Sequence, residues 1–284
     1  MNHKEPQFGE RWPEEVSAEE KEDGAQERVR LTCFIKKIAE RLRIDDKVPA
    51  TEDCRIDMSA FGSVYSQAVI AKDMAWVRER EAEEYPDLSA EEIKTERLKR
   101  DGEGLEMLKT AIFAKQLGQE FIVARTSRHD DENGVDNIIL EKETGNIVCA
   151  LDEVADTSGR RYQEKAERVL DRNRKKYGSG GALKYGFMIE KNKDGSRKLC
   201  LGRVENIPLF YLALPKRHLR NGLKEFIPSF EESSDYERKL FSYFTTSLSS
   251  QIDFLKLEQN LNPALKNRLI CFEKTIKKLL EEKR

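Results

Sequence analysis

The sequence predicts a mixed α/β (α+β) protein. A helix, three strands, a second helix and further strands lie between residues 102 and 214, and helical regions are added from both ends. Three observations lead there. Residues 104–117 set Leu105, Leu108, Ile112 and Leu117 at helical spacing. The extended apolar runs that follow are joined by turn signals, Glu143-Thr144-Gly145-Asn146 and Asn192-Lys193-Asp194-Gly195, which read as two hairpins. Charged residues make up 37% of the chain, well above the roughly 25% of an ordinary globular protein, as expected of helices with solvated faces.

Taken in order, residues 1–27 carry Gly, Pro and Glu and few aliphatics, and are expected to be a disordered acidic arm. Residues 28–43 read as an amphipathic helix with Leu31, Phe34, Ile35, Ile38 and Leu42 on one face. Residues 48–58 are irregular or extended, and a long helix is expected over 59–84 with Val64, Ala68, Met74 and Val77 among its apolar positions. Ser89 with Glu92 three residues on is a capping-box signal for a helix reaching residue 100. These elements form a helical accessory region over 28–101, ahead of an α/β core over 102–224. In the core, strands are expected at 121–126, 136–141 and 147–153, a helix at 159–177, a hairpin of 183–190 with 198–204, and a last strand at 208–214. Together they should build a central mixed sheet flanked by the helices at 104–117 and 159–177. Residues 225–284 read as helical, with Asn262-Pro263 opening the final helix.

Composition excludes several classes. No apolar run approaches the ~18 residues of a membrane span, and the N-terminus is not signal-like, so a cytoplasmic chain without membrane contact is expected. Five scattered cysteines without a Cys-x-x-Cys pair argue against zinc ribbons, iron–sulfur clusters and a disulfide framework. The net charge of −2 hides a polarised distribution. Residues 1–156 hold 23 Lys+Arg against 37 Asp+Glu, whereas residues 157–224 hold 18 against 6. A basic block of that kind attracts phosphate backbones.

Asn133-Gly134-Val135-Asp136 opens the second strand of the core, and Leu151-Asp152-Glu153-Val154 closes the third. An acid in a Gly-Val-Asp context, a second acid at the end of the next strand and the helix–three strands–helix order resemble the PD-(D/E)XK nuclease superfamily over roughly residues 102–214. The resemblance implies a restriction-endonuclease-like core and phosphodiester hydrolysis with Mg²⁺ or Mn²⁺. It also implies a nucleic-acid partner, with DNA ranked ahead of RNA and neither set aside, and a two-fold homodimer would suit the fold's usual habits. By position Asp136 matches the first motif acid, and Glu153 or Asp152 the second metal-binding acid. Neighbouring strand residues face opposite ways, so only one of these two can share the metal side; Glu153 is preferred because Ile147, Cys149 and Leu151 share its face. Glu106, with Glu103 behind it, matches the helix acid of the family. The family's strand lysine is absent, since Val154 and Ala155 occupy the two registers.

The helix at 159–177 offers a substitute. At about 100° per residue, Arg161, Lys165, Arg168, Arg172 and Lys176 fall within about an 80° sector flanking the buried face. Lys165 is the candidate for the displaced catalytic lysine, the others for phosphate contacts, and Gln163 for a water or substrate contact. Lys216-Arg217-His218 with Arg220 forms a further basic cluster, and His129 lies in a polar Asp-rich stretch. The leading reading is a metal-dependent nuclease or nuclease-like protein. The alternative is a catalytically inactive nucleic-acid-binding or regulatory protein that keeps the fold, favoured by Val154 and Ala155; a helical scaffold is the third.

Overall fold

Helix starts and turn residues set the order of elements in the computed structural model, which describes residues 24–155, 160–175, 179–192 and 194–281. The N-terminal layer comprises α1 (Gly24–Ile44), a 3₁₀ turn (Met58–Ser63), α2 (Gln67–Glu84) and α3 (Ala90–Leu98). The core follows with α4 (Asp101–Leu117), β1 (Phe121–Arg125), α5 (Arg128–Glu132), β2 (Asn137–Glu141), β3 (Ile147–Val154) and α6 (Arg160–Arg174). Then come β4 (Gly181–Lys191), β5 (Arg197–Ile207), β6 (Leu209–Ala213), α7 (Lys216–Lys224), α8 (Asp235–Lys256) and α9 (Pro263–Glu281). Residues 1–23 of the expected acidic arm lie outside the described residues, and Gly24–Glu27 belong to α1 instead. One buried cluster, from Leu31 of α1 through the sheet to Ile276 of α9, joins the accessory regions to the core. Among the described residues, no helix is long and apolar enough to cross a membrane.

The central sheet is mixed, in the order β1-β2-β3-β6. β1, β2 and β3 form an antiparallel meander, and β6 lies parallel to β3. The β2–β3 turn closes at Gly145, whose φ of +72° favours glycine and where a Cβ would collide with the Ile189 carbonyl. Period-two alternation puts Asp152 and Glu153 on opposite faces of β3. Lys165 of α6 reaches Asp152, and Lys109 of α4 reaches Glu153, so α6 and α4 cover opposite faces. Helices on both sides explain why β3 is buried along its whole length.

The free edge of β6 is satisfied by side chains. Asn173 of α6 donates to Leu209 O (2.6 Å) and accepts from Leu209 N (3.0 Å). Gln251 of α8 treats Tyr211 in the same way (2.8 and 3.1 Å), and the Tyr243 hydroxyl donates to Ala213 O. A parallel edge strand thus presents no open ladder at these residues.

Three expectations are corrected. β4 and β5 form a two-stranded ribbon of their own rather than joining the central sheet. Asp130 accepts from the backbone N–H groups of Lys184 and Tyr185, and irregular register near Gly181 and Gly186 turns the ribbon aside. The single helix expected over 59–84 is broken. Ser66 caps α2 by accepting from Val69 N, which resets the helical phase, so Val64 and Met74 are exposed while Ile70 and Val77 are buried. The basic cluster at 216–220, over which no helix was expected, lies on α7, with His218 buried and bonded to the Tyr236 hydroxyl (2.7 Å).

Asn173→Ala is expected to destabilise the fold by about 2–4 kcal/mol, because it leaves two buried backbone groups of β6 unpaired. Urea unfolding measures this; a loss below about 1 kcal/mol would mean that the amide does not hold the edge strand.

Candidate functional site

α4 is buried on more than its apolar side. Glu103, Glu106, Lys109 and Thr110, three or four residues apart, line one flank of it and face the ends of β1, β2 and β3. Burying charge is costly unless it is paired, and each group here has partners. Glu106 Oε2 accepts from Arg125 Nη2 (2.7 Å) and from Arg55 Nη2 (2.9 Å). Glu103 pairs with Arg125 at 2.5 Å, and Lys109 pairs with Glu153 across the sheet face. Thr110 donates to Asn137 Oδ1 (2.7 Å), which aims the Asn137 amide at both Glu153 oxygens (3.2 and 3.3 Å).

Asp131 arrives on α5, a five-residue helix started by the Ser127 hydroxyl accepting from Asp130 N. Asp136 immediately precedes β2, and its Oδ2 accepts from Glu153 N at 2.6 Å. Glu106, Asp131 and Asp136 each bring one carboxylate oxygen within 4.8 Å of the others. From the opposite face Lys165 Nζ sits 2.5 Å from Asp152 Oδ1 and 4.0 Å from Asp136 Oδ2, and it also donates to the Glu153 carbonyl. Arg168 holds the other Asp152 oxygen at 2.5 Å.

The electrostatics single out Asp136. Burial pushes its carboxyl well above the usual range, and neighbouring Glu153, Glu106 and Asp152 push the same way, with Lys165 opposing. Glu106 is raised to about 7 by burial and by Asp131, despite its two arginines. Asp131 and Glu153 are also disfavoured by burial, but Arg55 holds the first, and Lys109 the second, below their ordinary values. Lys165 overcomes its own burial through Asp136 and Asp152, which raise it. Asp136 is therefore a buried carboxyl whose charged form is disfavoured both by desolvation and by its acidic neighbours.

The sequence-derived residues are placed as follows. Asp136 and Glu106 converge, and Lys165 reaches the strand end that its helical angle implies. Glu153 gives Asp136 its backbone N–H while its carboxylate turns to Lys109 and Asn137, so the third member of the triad is Asp131. Asp152 faces α6 and is held by Lys165 and Arg168. The basic stripe is not a freely solvated face: Arg172 donates to the carbonyls of Asn133 (3.1 Å) and Gly134 (3.2 Å), and of the paired residues only Arg168 remains half-exposed. The Arg161 side chain and Lys176 lie outside the described residues, and Gln163 is exposed. His129 stands between Asp130 (3.5 Å) and Asp73 (4.0 Å), away from the triad.

Sequence reasoning missed Asp131, Lys109, Arg55 and Arg125. The signal for Asp131 was the Ser127-x-x-Asp130 start of a helix too short to show periodicity. For Lys109 it was a lone cation inside an otherwise apolar stretch of α4. Arg55 and Arg125 carried no local signal. No family model matches the sequence, and no curated protein or solved structure is significantly similar to it.

A carboxyl whose folded value lies above its unfolded value stabilises the fold while protonated. For Asp136 and Glu106 that contribution is complete below about pH 4. It is lost as the pH rises through the folded value, about 7 for Glu106. Asp136→Asn keeps an acceptor for Glu153 N and removes the need for the proton. Its stability relative to wild type should therefore increase between pH 4 and pH 8. Urea midpoints of both proteins across that range test this, and a constant difference would show that Asp136 is not raised.

Proposed function

We propose that the chain is a divalent-metal-dependent nuclease or nuclease-like protein acting on nucleic acid by phosphodiester hydrolysis. The observation that carries this reading is the meeting of Glu106, Asp131 and Asp136 within 4.8 Å, next to Lys165. Cis oxygens of an octahedral Mg²⁺ with bonds of 2.0–2.1 Å are about 2.9 Å apart and trans oxygens about 4.1 Å, so oxygens 4.8 Å apart would have to close by up to about 2 Å. A divalent ion would offset the negative charge that Glu106, Asp131 and Asp136 bring together. The order helix–three strands–helix–strand and the mixed sheet agree with the restriction-endonuclease-like core that the sequence resemblance implies. The acids also lie at the end of the sheet where parallel β3 and β6 both terminate, the usual side for ligands in sheets of this kind.

In this reading Glu106, Asp131 and Asp136 hold the ion, which lowers the pKa of a bound water and neutralises phosphate charge when present. Asn137 and Lys109 fix Glu153, and the Glu153 N–H in turn orients the Asp136 carboxylate. Lys165 supplies the ammonium that the strand lacks, close enough to Asp136 to sit beside a phosphate oxygen bound there. Arg168, half-exposed on the same flank and paired with Asp152, would make a phosphate contact.

The inactive reading has one observation of its own. Both Arg55 and Arg125 already occupy Glu106 Oε2, so an internal ion-pair network does part of the neutralising that a metal would do.

Mg²⁺ or Mn²⁺ at about a hundred times its dissociation constant should stabilise the wild type by about 2.7 kcal/mol, and Asp136→Asn much less. Cleavage of plasmid, single-stranded DNA and RNA should require the ion. It should fall at least about 100-fold in Asp136→Asn and Asp131→Asn, and Lys165→Met should lower kcat more than it weakens binding. If wild type and Asp136→Asn bind nucleic acid equally and are equally inert, the inactive reading holds.

A further inference from the structure

Two residues separate the end of β6 from the start of α7, and β6 runs parallel to β3 with Val154 beside Ala213. The helix therefore starts from the same end of the sheet as the triad. Its apolar residues Leu219 and Leu223 are buried in the core, and Gly222 packs against Leu108 and Leu240. What remains exposed on α7 is Lys216, Arg217, Arg220, Asn221 and Lys224, with no acid among them. Lys216 reaches Asp101 at 3.5 Å, whereas among the described residues no carboxylate is ion-paired with Arg217, Arg220 or Lys224.

Arg217, Arg220 and Lys224 are three and four residues apart, which aligns them on one side of the helix over about 10 Å. That length matches about three nucleotides of a duplex strand at 3.4 Å each. The stripe also connects to the site. Asp101, which Lys216 and Arg28 share, is the first residue of α4, five residues and thus about 7.5 Å along the axis from Glu106. An amphipathic basic helix could instead meet a membrane, but that needs an apolar face to insert, and here the apolar face is already used by the core.

We propose that the exposed face of α7 is a nucleic-acid backbone contact, carrying the strand away from the triad across the start of α4. The proposal rests on the nucleic-acid reading of the site. It gives the substrate a footprint beyond the cleavage point and a polarity, from α6 over the strand ends to α7.

The test uses the full chain with Asp136→Asn in every variant, so that binding is measured without cleavage. The probes are a 20-base-pair DNA duplex and one of its strands, titrated over a range of salt. Replacing Arg217, Arg220 and Lys224 together by Gln should lower duplex affinity at least 10-fold. It should also make the slope of log K against log salt shallower by about two to three units, at 0.9 per phosphate contact. Lys94→Gln, Lys266→Gln and Lys274→Gln together, which remove as much charge from exposed positions on α3 and α9, should leave the slope nearly unchanged. Equal effects of the two triple variants would overturn the proposal, and so would unchanged binding in the α7 variant while Arg168→Gln weakens it; in both cases the reading of the site survives. A parent protein that binds neither probe would bring down the reading itself, and the proposal with it. Loss of binding to phosphatidylserine vesicles in the α7 variant, with DNA affinity intact, would assign the face to a membrane and refute the proposal.

Discussion

Two guanidinium groups almost sealed from solvent, Arg55 and Arg125, tie together parts of the chain that are distant in sequence. Arg55 comes from the segment between α1 and the 3₁₀ turn and pairs with Glu106 of α4 and Asp131 of α5. Arg125 ends β1 and pairs with Glu103 and Glu106. The two residues also face each other across a parallel backbone bridge. Removing one partner from a buried network of this kind costs about 3–5 kcal/mol, because the remaining charges stay uncompensated. That penalty fixes α4, β1, α5 and the N-terminal layer in a single arrangement, and the carboxylate triad is a product of that arrangement.

The triad inherits its character from the same network. Arginines neutralise Glu103, Asp131 and part of Glu106, while Lys109 neutralises Glu153. Glu153, Glu106 and Asp152 still push the Asp136 carboxyl upward, and Lys165, at 4.0 Å, opposes them. A carboxyl in that position keeps a proton or takes a cation. The first outcome costs stability at neutral pH, and the second would turn the cost into metal affinity. Stability and proposed function thus compete for the same residue, as is common where strain and charge are concentrated at a site.

Much of the fold was legible because its signals are local. Gly145 and Gly195 needed positive φ and marked both hairpins. Ser89 with Glu92, and Asn262 before Pro263, marked helix starts that the capping bonds show directly. The candidate site was legible only in part. Asp136 and Glu106 could be named because the family resemblance implies acids at those positions, and Lys165 because helical angle places it near a strand end. Asp131 sits in a single turn of helix, where 3.6-residue periodicity has no length in which to appear. The preference for Glu153 followed from strand alternation, which sets the face but not which of the acids on that side meets a cation first. In the fold the Glu153 carboxylate pairs with Lys109.

By itself, then, the sequence determined the alternation of helices and strands, the turns, the opposed faces of Asp152 and Glu153, and the concentration of basic charge after residue 156. These depend on dihedral preference and on spacing within a few residues. Tertiary structure alone decided that β4 and β5 stand apart as a ribbon, that Asp131 completes the triad, and that the arginines of two distant segments meet at Glu106. It also decided that the exposed side of α7 carries only basic charge. Those outcomes depend on which buried charges find one another across the fold. Coulomb attraction and desolvation act over distance in space, and neither leaves a period in the chain.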